Sequence, residues 1–184
     1  MTAWPHDEER VYHWDGPPEL DLWRARVVLP TGLAYTGHRL VTDRGRHGVV
    51  ILPTCGDDLL LVHSPRPAAE GDFWELPRGF GTSQAKGLTV VTADATRELA
   101  EETGYSSTTT VLLGEYVTDT ALLPTRVSVV ECVIAPDAIP AQTDAETSER
   151  RWVPLRRVRG MIAQGLLHDA HSLSALSFIA DRWT

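Results

Sequence analysis

The segment Arg97-Glu98-Leu99-Ala100-Glu101-Glu102-Thr103-Gly104-Tyr105 constrains the fold more than any other. Thr89 to Thr103 reads as a helix, with Thr89 as its N-cap and Gly104 just past its end. Glu98, Glu101 and Glu102 then stand at i, i+3 and i+4, within one arc roughly 100° wide. Carboxylates so placed repel one another by roughly 0.2–0.5 kcal/mol per exposed pair. They also sit toward the C-terminal end of the helix, where the dipole disfavours negative charge. Alone, an E-x-x-E-E is commonly a solvated face. A hard divalent cation would reverse both penalties, and an oxygen-rich, histidine-free cluster suits magnesium or manganese. Glu98 and Glu102, one turn apart, are the primary metal ligands on this reading, with Glu101 as the third.

The helix is expected among strands. Arg26 to Leu29 and His38 to Thr42 read as short strands around Pro30-Thr31-Gly32. Val49 to Pro53 and Leu59 to His63 are apolar runs around Gly56-Asp57-Asp58, a hairpin pattern. Phe73 to Leu76, Val111 to Val117 and Arg126 to Ala135 are further extended pieces, and residues 136–148 form a polar loop. A short helix near Arg156 to Gln164 and a last one capped by Asp169 complete the pattern. Many strands, one central helix and terminal helices indicate an α/β fold with a mixed sheet. At 184 residues the chain suits one well-buried core.

Charge and composition narrow the function. Twenty-five acidic and 17 basic residues leave a net charge of −8, which argues against non-specific nucleic-acid binding. A small anionic ligand stays compatible, because local arginines and a metal override the global sign. No apolar run is long enough to span a membrane. The start, MTAWPHDEER, lacks the basic and apolar stretches of a signal peptide. Cys55 and Cys132, far apart in apolar contexts, are expected as free thiols in a reducing cytoplasm.

The string from Arg97 to Tyr105 resembles the second half of the signature of the Nudix hydrolases, R-E-U-x-E-E-x-G-U with U bulky and apolar. Phe73-Trp74-Glu75-Leu76-Pro77-Arg78-Gly79 is similar to the strand and turn that open that box. Leu60 to Pro67 resembles the preceding strand, which in the ADP-ribose pyrophosphatase branch ends in a phosphate-binding arginine. Trp152 to Leu155 and Asp169 to Leu176 look like the tail of that branch. The resemblance spans roughly residues 25–180. It departs at one place: seventeen residues separate Gly79 from Arg97, where the signature has thirteen. No glutamate lies between them, and the box glutamate's place falls on Leu88 or Thr89.

The resemblance implies a Nudix-like α/β/α sandwich over 46–184, with an antiparallel N-terminal extension over 1–45 that dimerises the chain through strands 26–42. It implies that the Gly79 carbonyl completes the metal's coordination and that Arg97 ties the helix to the loop before it. Glu146 is the implied general base, with Glu149 and Asp144 as substitutes; Glu101 and Arg97 share the catalytic set. Arg66 and Arg78 are the phosphate contacts, for which a guanidinium is well shaped. Trp23 or Trp14 offers an aromatic face to a nucleobase. His168 and His171 have no partner at metal-ligand spacing and read as capping or surface residues. The expected reaction is hydrolysis of a nucleoside diphosphate derivative, ADP-ribose giving AMP and ribose 5-phosphate, or a nucleotide sugar. The missing box glutamate keeps a second reading open, a Nudix-fold module that binds a nucleotide without cleaving it.

Overall fold

Two apolar runs joined by a tight turn lay down the spine of the main sheet. They are β4 (Gly48–Cys55) and β5 (Asp58–Arg66), antiparallel, with Thr54 opposite Leu59 and Cys55 opposite Asp58. Gly56 turns between them at φ +58, a left-handed conformation that glycine adopts without strain. Residues 48–54 of β4 are all buried, as in a strand covered on both faces. In this computed structural model residues 4–83, 87–143 and 149–182 are described.

The main sheet runs β10-β5-β4-β9-β8, with β6 (Gly71–Glu75) paired to β5 and β7 (Arg78–Phe80) to β4. It is mixed: β9 (Arg126–Val133) lies parallel to β4, while β8 (Thr109–Val117) and β10 (Glu149–Pro154) pair antiparallel with β9 and β5. Successive side chains of β4 point to opposite faces, and each face has its own core. Val49 and Ile51 pack with Leu60, Val130 and the Val91, Ala95 and Leu99 stripe of α1 (Leu88–Thr103). Val50 and Leu52 pack with Leu59, Leu61, Val127 and Val129, against Leu155 and Val158 of α2 (Leu155–Ala163) and Ala175 and Leu176 of α3 (Ala170–Ser177). The architecture is the expected α/β/α sandwich.

Ahead of it stands a separate antiparallel sheet, β1 (Glu9–Trp14), β2 (Leu20–Val28) and β3 (Ala34–Thr42). It is larger than the short strands expected at 26–29 and 38–42. Every residue of β1 is exposed, so no buried alternation marks it in the sequence. Tyr12, Trp14, Val28 and Tyr35 all leave large apolar surface uncovered.

Two helix ends position the site. The start of α1 differs from the expectation: Gly87, not Thr89, is the N-cap, and Thr89 lies inside the first turn. The other end is as read. Gly104 is left-handed at φ +73, and its N–H donates to the Ala100 carbonyl. A side chain there would strike Ala141. Asp169 caps α3 by accepting from the Ser172 N–H. The buried Ser172 Oγ in turn accepts the Leu76 N–H at 2.8 Å, which ties the first turn of α3 to the β6–β7 connection. Among the described residues no helix is long and apolar enough to cross a membrane, and Cys55 and Cys132 are both free.

Candidate active site

The helix α1 grips the strand β7 and the loop beyond it through four side chains. Glu98 lies directly against Gly79: a Cβ on that glycine would come within 2.1 Å of the Glu98 carboxylate. Only glycine leaves this cradle open. One turn later Glu102 accepts the Arg78 N–H at 3.4 Å. Arg97 donates to the Phe80 carbonyl at 2.9 Å. Asp94, buried, accepts from both the backbone N–H and the hydroxyl of Thr82, each at 3.0 Å.

Asp94 is the residue that sequence reasoning missed. The spacing puts the box glutamate's place at Leu88 or Thr89, yet both are exposed. Asp94 stands one turn before Arg97, with its Oδ1 3.8 Å from the guanidinium, and holds the loop after Gly79. Its signal was available: among the described residues it is the acid that precedes Glu98 by one turn on the same helix face.

Arg97 separates the three glutamates. It pairs with Glu98 Oε1 at 2.8 Å and with Glu101 Oε2 at 2.7 Å. The Glu101 side chain is 57% exposed, against 11% for Glu98. The structure therefore brings Glu98 and Glu102 to the Arg78–Gly79 segment and leaves Glu101 on the rim. Burial dominates the electrostatics. It pushes the Glu98 carboxyl up, against the pull of Arg97. It pushes Glu102 up to about 8, with help from the neighbouring Glu98 and against the Arg78 N–H. Two carboxyls resisting ionisation beside each other, Glu98 buried and Glu102 half-buried, offer oxygen donors only and fit a hard divalent cation. Among the described residues, one set of three His, Cys or carboxylate side chains has its ligand atoms within 4.8 Å of one another: His13, Glu19 and Asp21. It lies on the N-terminal sheet, where Arg10 pairs with Asp21 and Arg44 with Glu19.

The two candidate phosphate contacts converge on a carboxylate that the sequence reading did not single out. Glu75, 1% exposed, pairs with Arg66 and lies 3.4 Å from Arg78. Its place at the end of an aromatic strand gave little sign of a charge being buried. Arg78 and Gly79 also line a cavity of about 200 Å³ with Thr42, Thr118, Thr125 and His171. His171 is not a surface residue: it is half-buried, and its Nδ1 lies 2.5 Å from the Tyr116 hydroxyl. A larger cavity of about 590 Å³ opens between β3 and the start of α1. Arg39, His47, Leu88 and Val91 line it, and none of the expected site residues does.

The remaining candidates lie elsewhere. Trp23 stands on β2 with the Arg10 guanidinium 5.7 Å from its ring centre, and Trp14 is 54% exposed on β1. Glu146 and Asp144 lie outside the described residues. Glu149 opens β10 opposite His63, exposed, and is 4.0 Å from Arg151. His168 is exposed, with its ring against Phe73.

Comparison with known proteins adds two findings. The NUDIX domain family matches residues 44–176. A solved structure described as an ADP compounds hydrolase superposes with a TM-score of 0.77 at 18% identity, covering 96% of this chain and 91% of that one. The likeness is one of fold. No curated protein matches the sequence.

The raised Glu102 carboxyl makes stability depend on pH. Its folded value, about 8, lies above the ordinary carboxylate value of 4.5, so the folded state holds a proton that the unfolded state releases. The resulting stability is fully present below about 4.5 and is lost progressively as pH rises from there to about 8. The melting temperature of the metal-free protein is expected to fall across that window, and Glu102→Gln to flatten the fall. A slope identical in the two proteins would assign it to other groups. Asp94→Ala removes the charged acceptor of the Thr82 N–H and hydroxyl and is expected to cost about 1.5–3 kcal/mol in urea unfolding, with faster proteolysis of the loop after Gly79. A variant as stable and as resistant as wild type would show that the brace lies elsewhere.

Proposed function

The chain belongs to the Nudix family, and on that premise we propose that it is a divalent-cation-dependent hydrolase acting on the diphosphate linkage of a nucleoside diphosphate derivative. One observation carries this reading: two carboxylates, the buried Glu98 and the half-buried Glu102, converge on the Arg78–Gly79 segment. Magnesium or manganese held by Glu98, Glu102 and the Gly79 carbonyl, with Glu101 as the third carboxylate, supplies polarised phosphoryl oxygens and an acidified water.

The chain's own residues do the rest. Arg66 and Arg78 bind phosphoryl oxygens, and Glu75 braces both guanidiniums, so little freedom is lost when a ligand arrives. Arg97 orients Glu98 and Glu101 and locks the loop through Phe80. Glu146 is the candidate general base and Trp23 the candidate surface for a nucleobase. ADP-ribose or another nucleotide sugar is the favoured substrate. The name of the similar structure, an ADP compounds hydrolase, supports an ADP-containing one. A reducing compartment such as the cytoplasm suits the two free thiols. Residues 1–45 form a dimerisation extension to the catalytic domain at 46–184. The uncovered Tyr12, Trp14, Val28 and Tyr35 on its sheet support a homodimer.

The test is a panel of nucleoside diphosphate derivatives assayed with magnesium, with manganese and with excess EDTA. AMP release from ADP-ribose or a nucleotide sugar is expected with either metal, and none with EDTA. Glu102→Gln is expected to lower kcat by orders of magnitude while the fold survives. A wild type that binds these compounds and cleaves none would replace the hydrolase with a nucleotide-binding module. For the oligomer, light scattering at tens of micromolar is expected to give twice the chain mass, and deletion of residues 1–45 to give a monomer. A full-length monomer at that concentration would remove the dimer.

A further inference from the structure

His171 joins a half-buried ring contact to Tyr116 with a place on a cavity wall. It occupies the first turn of α3, whose next residue, Ser172, bonds the Leu76 N–H two positions before Arg78. The ring is thereby held beside Arg78, and both side chains line the cavity of about 200 Å³ that includes Gly79. The Tyr116 hydroxyl takes up Nδ1 at 2.5 Å, and the two rings meet edge to face at 5.9 Å. Nε2 has no hydrogen-bond partner among the described residues. Arg78 Nε is buried and has no hydrogen-bond partner among the described residues. A wall with two polar groups left over expects acceptor atoms from a ligand.

We propose that His171, oriented by Tyr116, contacts the substrate, donating from Nε2 to a phosphoryl oxygen of the nucleoside diphosphate derivative beside Arg78. Tyr116 is its positioning residue: with the phenol donating to Nδ1, the imidazole carries its proton on Nε2. Burial and Arg78 push the His171 pKa down to about 4, so the ring stays neutral in the working range. Burial pushes the Tyr116 phenol up, which keeps its proton available to Nδ1. A neutral donor adds direction to the charge of Arg78 without adding to the repulsion among the guanidiniums.

The inference rests on the proposed ligand class, so binding and turnover are measured separately. Binding of ADP-ribose and of a panel of nucleotide sugars is followed calorimetrically without magnesium, turnover with it, and manganese affinity by electron paramagnetic resonance. His171→Phe keeps the packing and removes the hydrogen bond. It is expected to raise Kd and KM about tenfold, with kcat, manganese affinity and melting temperature close to wild type. His171→Gln, whose amide N–H reaches toward the same place, is expected to recover most of the loss. Tyr116→Phe is expected to raise the same two constants about threefold. Wild-type Kd and KM in His171→Phe would overturn the inference and leave the hydrolase intact. So would a loss that Gln does not recover and that follows the melting temperature. A wild type that binds but does not cleave would end the hydrolase reading, and His171 would then be judged on Kd alone. If the wild type neither binds nor cleaves any of these compounds, both fall.

Discussion

The grip of α1 on residues 78–82 is the constraint from which the candidate site follows. Gly79 has no side chain, so the Glu98 carboxylate can lie against the backbone. Around that contact Glu102 takes the Arg78 N–H, Arg97 the Phe80 carbonyl, and Asp94 the Thr82 N–H and hydroxyl. Three helix side chains thus satisfy backbone and hydroxyl groups on a short strand and its following loop, while Glu98 packs against the glycine. Such groups are expensive to bury unpaired. The same contacts that close the α1 face of the sandwich also aim two carboxylates at one spot.

The electrostatics follow from that closure. Asp94, Glu98, Glu101, Glu102 and Glu75 face three guanidiniums, those of Arg66, Arg78 and Arg97. Arg97 compensates Glu98 and Glu101, and Glu75 holds the other two arginines. Burial, helped by the neighbouring Glu98 and opposed by the Arg78 N–H, pushes the Glu102 carboxyl up to about 8. The excess of carboxylates is a structural cost in the absence of a cation, and it falls where a diphosphate would need one.

Much of this was legible in the chain. The run Val49 to Pro53 and the run Leu59 to His63 are apolar enough to announce central strands, and they became β4 and β5. The helix read at 89–103 is α1 to within one residue, because Gly104 ends it by a local rule. What was not legible depends on distant partners. β1 has no buried face, so no periodicity betrays it. Asp94 is an ordinary helix acid until the loop after Gly79 folds back upon it. Glu75 is an unremarkable strand residue until Arg66 and Arg78 arrive from either side. His171 reads as a surface histidine until β8 brings Tyr116 to it across the sheet.

Read alone, the chain settles local facts: the central strands β4 and β5, where α1 stops, and that Glu98, Glu101 and Glu102 share one helix face. These depend on spacing and on the conformational preferences of single residues, which act over a few positions. Packing settles which of the three glutamates is buried against Gly79 and which is drawn outward by Arg97. It alone made Asp94 the brace and paired Tyr116 with His171. Those outcomes turn on burial and on contacts between residues far apart in the chain, and neither is a property of a residue until the chain has packed around it.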